Sequence, residues 1–116
     1  MLSVGAAPRI WLCTVATDMR CSFDGLSARV KQQLGEDPLG GQWFAFLNRR
    51  ATQIKVLGFE DGGYWIWSKR LERGQFARLH ALGTVKRTLC ATEFLALLEG
   101  VDVEIKRRRK RYKTAA

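Results

Sequence analysis

Residues 42–71 read Gln42-Trp43-Phe44-Ala45-Phe46-Leu47-Asn48-Arg49-Arg50-Ala51-Thr52-Gln53-Ile54-Lys55-Val56-Leu57-Gly58-Phe59-Glu60-Asp61-Gly62-Gly63-Tyr64-Trp65-Ile66-Trp67-Ser68-Lys69-Arg70-Leu71. Three runs rich in β-branched and aromatic residues alternate there with two polar breaks, the pattern of an antiparallel meander. The strands fall at 42–47, 53–59 and 64–71. Asn48 to Thr52 forms the first turn. Glu60-Asp61-Gly62-Gly63 forms the second, where Asp-Gly is a strong hairpin signal. In the third strand Tyr64, Ile66 and Ser68 share one face, and Trp65, Trp67 and Lys69 share the other.

Outward from this stretch the pattern changes. Residues 9–15 are β-branched and aromatic and predict a first strand. Thr17, Asp18 and Ser22 supply capping groups in a polar stretch. Phe23, Leu26, Val30 and Leu34 then recur at helical spacing, with Arg29, Lys31, Gln32 and Gln33 between them, and Gly35 stops the helix. Residues 36–41, with Pro38 and Gly40-Gly41, form a loop. On the other side, residues 72–82 have no clear assignment, and residues 84–89 suit one more strand. Thr92 is expected to cap a short helix carrying Phe94, Leu95, Leu97 and Leu98, ended by Gly100. The expected architecture is a single α+β domain over residues 1–105. It is a small antiparallel β-meander packed with one long N-terminal helix and one short C-terminal helix, followed by a disordered basic tail over residues 106–116.

The charge is unevenly distributed. The 116 residues carry a formal net charge of +9. Lys106, Arg107, Arg108, Arg109, Lys110, Arg111 and Lys113 crowd into one short run, whereas residues 1–105 carry 13 Lys and Arg against 11 Asp and Glu. A block of like charges repels itself and stays unfolded when free. Its natural partner is a polyanion, because neutralised phosphates release condensed counterions. Six engaged cations would give a log–log salt slope of roughly −5 on duplex DNA. The alternative is a solubilising tail.

Cys13, Cys21 and Cys90 are odd in number and lack a CxxC pair, which speaks against a secreted disulfide framework and for a reducing cytoplasm. No signal-peptide pattern and no run of transmembrane length occur, so no membrane partner is expected. Asp18, Asp24, Asp61 and Glu72 are the acids to weigh for a two-metal site, but their spacing specifies none. His80, the single histidine, has no neighbouring ligand or nucleophile motif. Gly40-Gly41 and Gly62-Gly63 are too short for phosphate loops. The expectation is no catalytic residue, no metal and no cofactor.

Basic side chains on the meander give a second candidate interface. Arg49 and Arg50 lie in a turn, and Lys55, Lys69, Arg70 and Arg73 lie on or near strands. Trp65 and Trp67 either stack unpaired bases or pack as core; alternation favours the core.

Several segments, in order and spacing, resemble a known family. They are Thr17-Asp18-Met19-Arg20 with Phe23-Asp24-Gly25-Leu26; Phe44-Ala45-Phe46 with Asn48-Arg49-Arg50; Ile54-Lys55-Val56-Leu57; Asp61-Gly62 and Gly63-Tyr64; Lys69-Arg70-Leu71-Glu72 with Gly74 and Phe76; and Leu97-Leu98-Glu99-Gly100-Val101. Over about residues 8 to 103 the chain is similar to the Orf2-like family, the TnpB accessory proteins of IS66-type insertion sequences. That resemblance implies a non-catalytic role beside a separate, larger transposase. Three places depart from the family pattern: Cys21-Ser22 replaces a basic residue and Gly, Gly58 replaces an aromatic, and Ala77-Arg78-Leu79 replaces an aromatic-Pro pair.

Together these readings predict a DNA-associated accessory protein whose partners are DNA, at element ends or nonspecifically, and the transposase or other accessory proteins. Arg49, Arg50, Lys55, Lys69, Arg70 and Arg73 are its phosphate contacts, with the tail cations adding affinity. Arg20, at the start of the long helix, joins them because helix amides also favour anions. A protein–protein adaptor, marked by an exposed apolar patch, is the first rival. A metal-dependent nuclease, marked by converging carboxylates, is the second.

Overall fold

The structure, a computed structural model, describes residues 8–77 and 83–99. The order of elements is β1 (Ile10–Cys13), α1 (Phe23–Gln32), β2 (Trp43–Leu47), β3 (Gln53–Glu60), β4 (Gly63–Arg70), β5 (Lys86–Leu89) and α2 (Ala91–Leu98). The strands form one sheet in the order β4-β3-β2-β1-β5. The expected meander is present as β2, β3 and β4, paired antiparallel with Phe44 opposite Leu57 and Val56 opposite Trp67.

The expected architecture needs correction on two counts. The sheet is mixed: β1 runs parallel to β2, with Trp11 opposite Phe44, and β5 closes the other side antiparallel to β1. A parallel pair requires a crossover, and α1 is that crossover. The first described element is therefore a strand, and the helix after it is short rather than long, at 10 residues. It ends early because the N–H groups of Gln33 and Leu34 both turn to the Arg29 carbonyl. Gly35, at φ +64°, then lets the Glu36 N–H reach the Val30 carbonyl. Helix α2 begins earlier than the expected cap: Cys90 is its N-cap, and Glu93 accepts the Cys90 N–H at 3.1 Å, a reciprocal cap at the first turn. The tail, His80 and Gly100 lie outside the described residues.

Each face of the sheet carries its own core. Leu26, Val30 and Leu34 from α1 and the loop after it pack with Cys13, Phe44, Phe46 and Leu57. Phe94, Leu97 and Leu98 from α2 pack with Ile10, Leu12, Ala45, Leu47, Ile54 and Val56 on the opposite face. Strand β2 is apolar throughout because both of its faces are covered. Fully burying one such side chain is worth roughly 1.5–3 kcal/mol. The two tryptophans of β4 pack onto the α2-side core. Trp65 stands edge-on to Trp43 with centroids 5.2 Å apart. Its ring also covers Gly58 so closely that a Cβ there would lie 2.1 Å from a ring carbon.

Candidate nucleic-acid interface

The carboxyl ends of β1 and β2 point the same way, and the chain leaves both into loops. Ligand crevices in sheets with parallel strands form at such ends. Here Ala16, Thr17, Asp18 and Met19 form one wall of an open cleft of about 480 Å³. Asn48, Arg49 and Arg50 form the other, and Arg29 reaches it from the second turn of α1.

Both walls are held by backbone. Thr17 is buried, and its N–H donates to the Leu47 carbonyl at 2.8 Å, fixing the first loop to the end of β2. In the second, Asn48 Oδ1 accepts the N–H groups of Thr52 and Gln53 at 2.8 and 3.1 Å. Asn48 Nδ2 donates to Thr52 Oγ1 at 3.0 Å. Ala51, buried and at φ +56°, is the corner of this turn. A non-glycine residue in that region costs about 1 kcal/mol or more, held here by the Asn48 clamp and by Phe76, whose N–H donates to the Ala51 carbonyl at 2.6 Å. The result is a stiff turn that presents Arg49 and Arg50 outward, both exposed.

The basic side chains expected from sequence divide into two groups. The sheet register places Arg70 opposite Gln53, at the same end as Arg49 and Arg50. Gln75 donates to the Arg50 carbonyl at 2.8 Å and draws the loop carrying Arg73 to that end too. Arg70 pairs in solvent with Glu72 at 3.1 Å. Arg20 lies in the loop before α1, not on the helix, and forms a forked pair with Asp18, the closest contact being 2.7 Å. That guanidinium, then the Arg20 N–H, and weakly Arg29, hold the Asp18 carboxyl down at about 2.

The lysines are placed differently. Lys55 Nζ donates to the Cys21 carbonyl and Lys69 Nζ to the Leu98 carbonyl, each at 2.8 Å. The first joins β3 to the loop before α1, and the second closes the C-terminus of α2, where a cation also meets the helix dipole. Arg29 was missed by the sequence. It reads as one polar residue on an amphipathic helix, and only the crossover brings it beside the β2–β3 turn. It donates to Gln33 at 3.0 Å while lining the cleft. Among the described residues, no group of three or more His, Cys, Asp or Glu is placed to hold a metal ion, and no helix is long and apolar enough to cross a membrane.

Residues 8–108 match the family model described as IS66 Orf2-like protein. The chain belongs to the IS66 Orf2-like family. Its cleft and arginine turn are therefore features of an accessory protein of insertion sequences. A similar relative is the uncharacterised protein y4hO of Sinorhizobium fredii, 36% identical over 102 residues, which are 88% of each chain. The uncharacterised protein y4jC of the same organism is 30% identical over 76 residues, 66% of this chain and 65% of its own. No solved structure matches. Within this IS66 Orf2-like chain, Gly58 is explained by Trp65, whose ring occupies the space that a side chain at 58 would need.

Proposed function

We propose that this IS66 Orf2-like protein supports transposition by binding DNA, without catalysing a step itself. The backbone phosphates would meet Arg29, Arg49 and Arg50 in the cleft, flanked by Arg20, Arg70 and Arg73. The observation that carries this reading is the convergence of separate loops and a helix on one arginine-lined cleft. Arginine suits the task because its planar fork takes phosphate oxygens two at a time. Lys55 and Lys69 contribute less, since their ammonium groups are committed to backbone carbonyls. The cations of residues 106–113 add counterion-release affinity that is blind to sequence and speed encounter. The transposase and other proteins of the element are the partners that the family suggests.

The test is a titration of the full chain against element-end DNA and random DNA at several salt concentrations. It is repeated with the tail cations replaced by Gln and with Arg49→Ala/Arg50→Ala. Preference for element ends that survives tail neutralisation and is lost with the two arginines supports the cleft. Equal affinity for both DNAs that vanishes with the tail alone would sink it.

A further inference from the structure

Strand β4 is an edge of the sheet, and its charged residues, Lys69 and Arg70, stand only at its last two positions. It has eight residues, no proline and no bulge in its register with β3, and its sequence is Gly-Tyr-Trp-Ile-Trp-Ser-Lys-Arg. Edge strands of this kind are templates for pairing unless blunted. The hairpin fixes which of its backbone groups are spare. Asp61 and Gly62 form a two-residue turn with φ of +52° and +80°, and Glu60 opposite Gly63 closes it. A two-residue hairpin closes on a hydrogen-bonded pair, and bonded pairs then alternate. Trp65, Trp67 and Lys69 therefore bond β3, and the bond from the Leu71 N–H to the Thr52 carbonyl continues that parity. The N–H and C=O groups of Tyr64, Ile66, Ser68 and Arg70 point outward. Among the described residues nothing bonds them.

We propose that β4 pairs antiparallel with β4 of a second copy, about a two-fold axis at Ile66, giving one continuous sheet across both copies. A two-fold axis normal to the sheet keeps each face continuous only if residues of like parity meet. Ile66 then faces its own copy, Tyr64 faces Ser68, and Trp65 faces Trp67. All the outward groups of Tyr64, Ile66 and Ser68 are satisfied by this register. Charge favours it as well. The acidic hairpin tip, at Asp61, comes beside the basic end of the other strand, at Arg70. Moving the axis to Trp67 would also pair the outward groups, Tyr64 with Arg70 and Ile66 with Ser68, but it carries Asp61 past Arg70; moving it to Trp65 sets Ser68 against the turn. The axis reverses strand direction, so the arginine ends of the two copies face opposite ways. Where the cleft takes phosphate, the pair suits two separate duplex segments.

Light scattering coupled to size exclusion on the full chain, free of DNA, tests the pairing. The expected mass is twice the 13.2 kDa of one chain. Ser68→Pro removes an outward N–H from an exposed residue and sets a ring in the interface, a change an edge strand tolerates. It is expected to halve the mass with the thermal transition retained. Should Ser68→Pro fail to fold, Arg70→Glu serves instead: it is expected to halve the mass, and Asp61→Lys/Arg70→Glu to restore it. A wild-type chain of single mass overturns the proposal, including one whose Tyr64, Ile66 and Ser68 amides resist hydrogen exchange because the same chain covers its own edge. A doubled mass indifferent to these variants overturns it too.

Discussion

The arginines at the end of the sheet and the lysines against its faces carry the same charge and do opposite work. Arg49 and Arg50 stand in solvent on a turn stiffened by Asn48. Lys55, Lys69 and Lys86 reach inward to carbonyl groups that the fold would otherwise leave short of donors. Lys86 is the fullest case. It donates to the Leu34 carbonyl at 2.7 Å and to the Glu36 carboxylate, with its ammonium 4.7 Å from the Trp11 ring centroid. A net charge counts both groups alike. What separates them is chemistry: a compact ammonium on a flexible stem closes single carbonyls, and a planar guanidinium at an exposed rim offers a fork that suits phosphate.

This contrast makes Lys86 the position where removing a charge should cost most. Lys86→Met keeps the stem against Trp11 but leaves the Leu34 carbonyl and the Glu36 carboxylate without their donor. Hydrogen bonds to charged groups contribute about 1.5–3 kcal/mol, so urea denaturation should show a destabilisation of about 2 kcal/mol with DNA affinity unchanged. The acid side of the stability curve should change as well. The Lys86 hydrogen bond holds the Glu36 carboxyl below the usual carboxylate range. A depressed carboxylate stabilises the fold above its unfolded pKa and loses that contribution as pH falls. In Lys86→Met that acid-side decline should flatten. Unchanged stability would mean the lysines are as dispensable as the rim arginines.

Arg49→Ala/Arg50→Ala is the converse. Without these two guanidinium groups on phosphate, the log–log salt slope should fall by about 2 and the affinity at low salt by roughly tenfold or more. The denaturation midpoint should move far less than in Lys86→Met, because both side chains are exposed and the turn is held by the Asn48 side chain and the Phe76 N–H. A large drop in stability with intact binding would exchange the roles of the two groups.

The meander was legible because its information is local: alternation in β4, an Asp-Gly turn, and polar breaks at fixed intervals. The joining of β1 to β2 was not. Parallel pairing across a helix depends on which faces are covered, and only the unbroken apolar run of β2 hinted that this strand is central. The candidate site inherits the same limit. Arg49 and Arg50 announce themselves in a turn, whereas Arg29 becomes a cleft residue only once the crossover is known. Lys55 and Lys69 looked like surface cations because nothing in sequence ties either to Cys21 or Leu98, which are 34 and 29 residues away.

Asp18 offers the finest discrimination, because it is the one carboxylate among the described residues of the cleft wall. Its pKa of about 2, against an ordinary 3.8, comes chiefly from the Arg20 side chain. Its carboxyl resonance should therefore titrate near pH 2, and Arg20→Gln should move the midpoint up toward the ordinary value. For binding, the carboxylate works against an incoming phosphate and occupies a guanidinium that phosphate would use. Asp18→Asn removes the charge while keeping an oxygen for the Arg20 N–H, so the loop should hold its shape. Exposed ion pairs are worth little, and affinity for DNA should rise by no more than a few-fold, with a slightly steeper salt dependence. A fall in affinity would mean that Asp18 positions Arg20 for the ligand, and the pair would then act as one preassembled contact instead of a charge held in check.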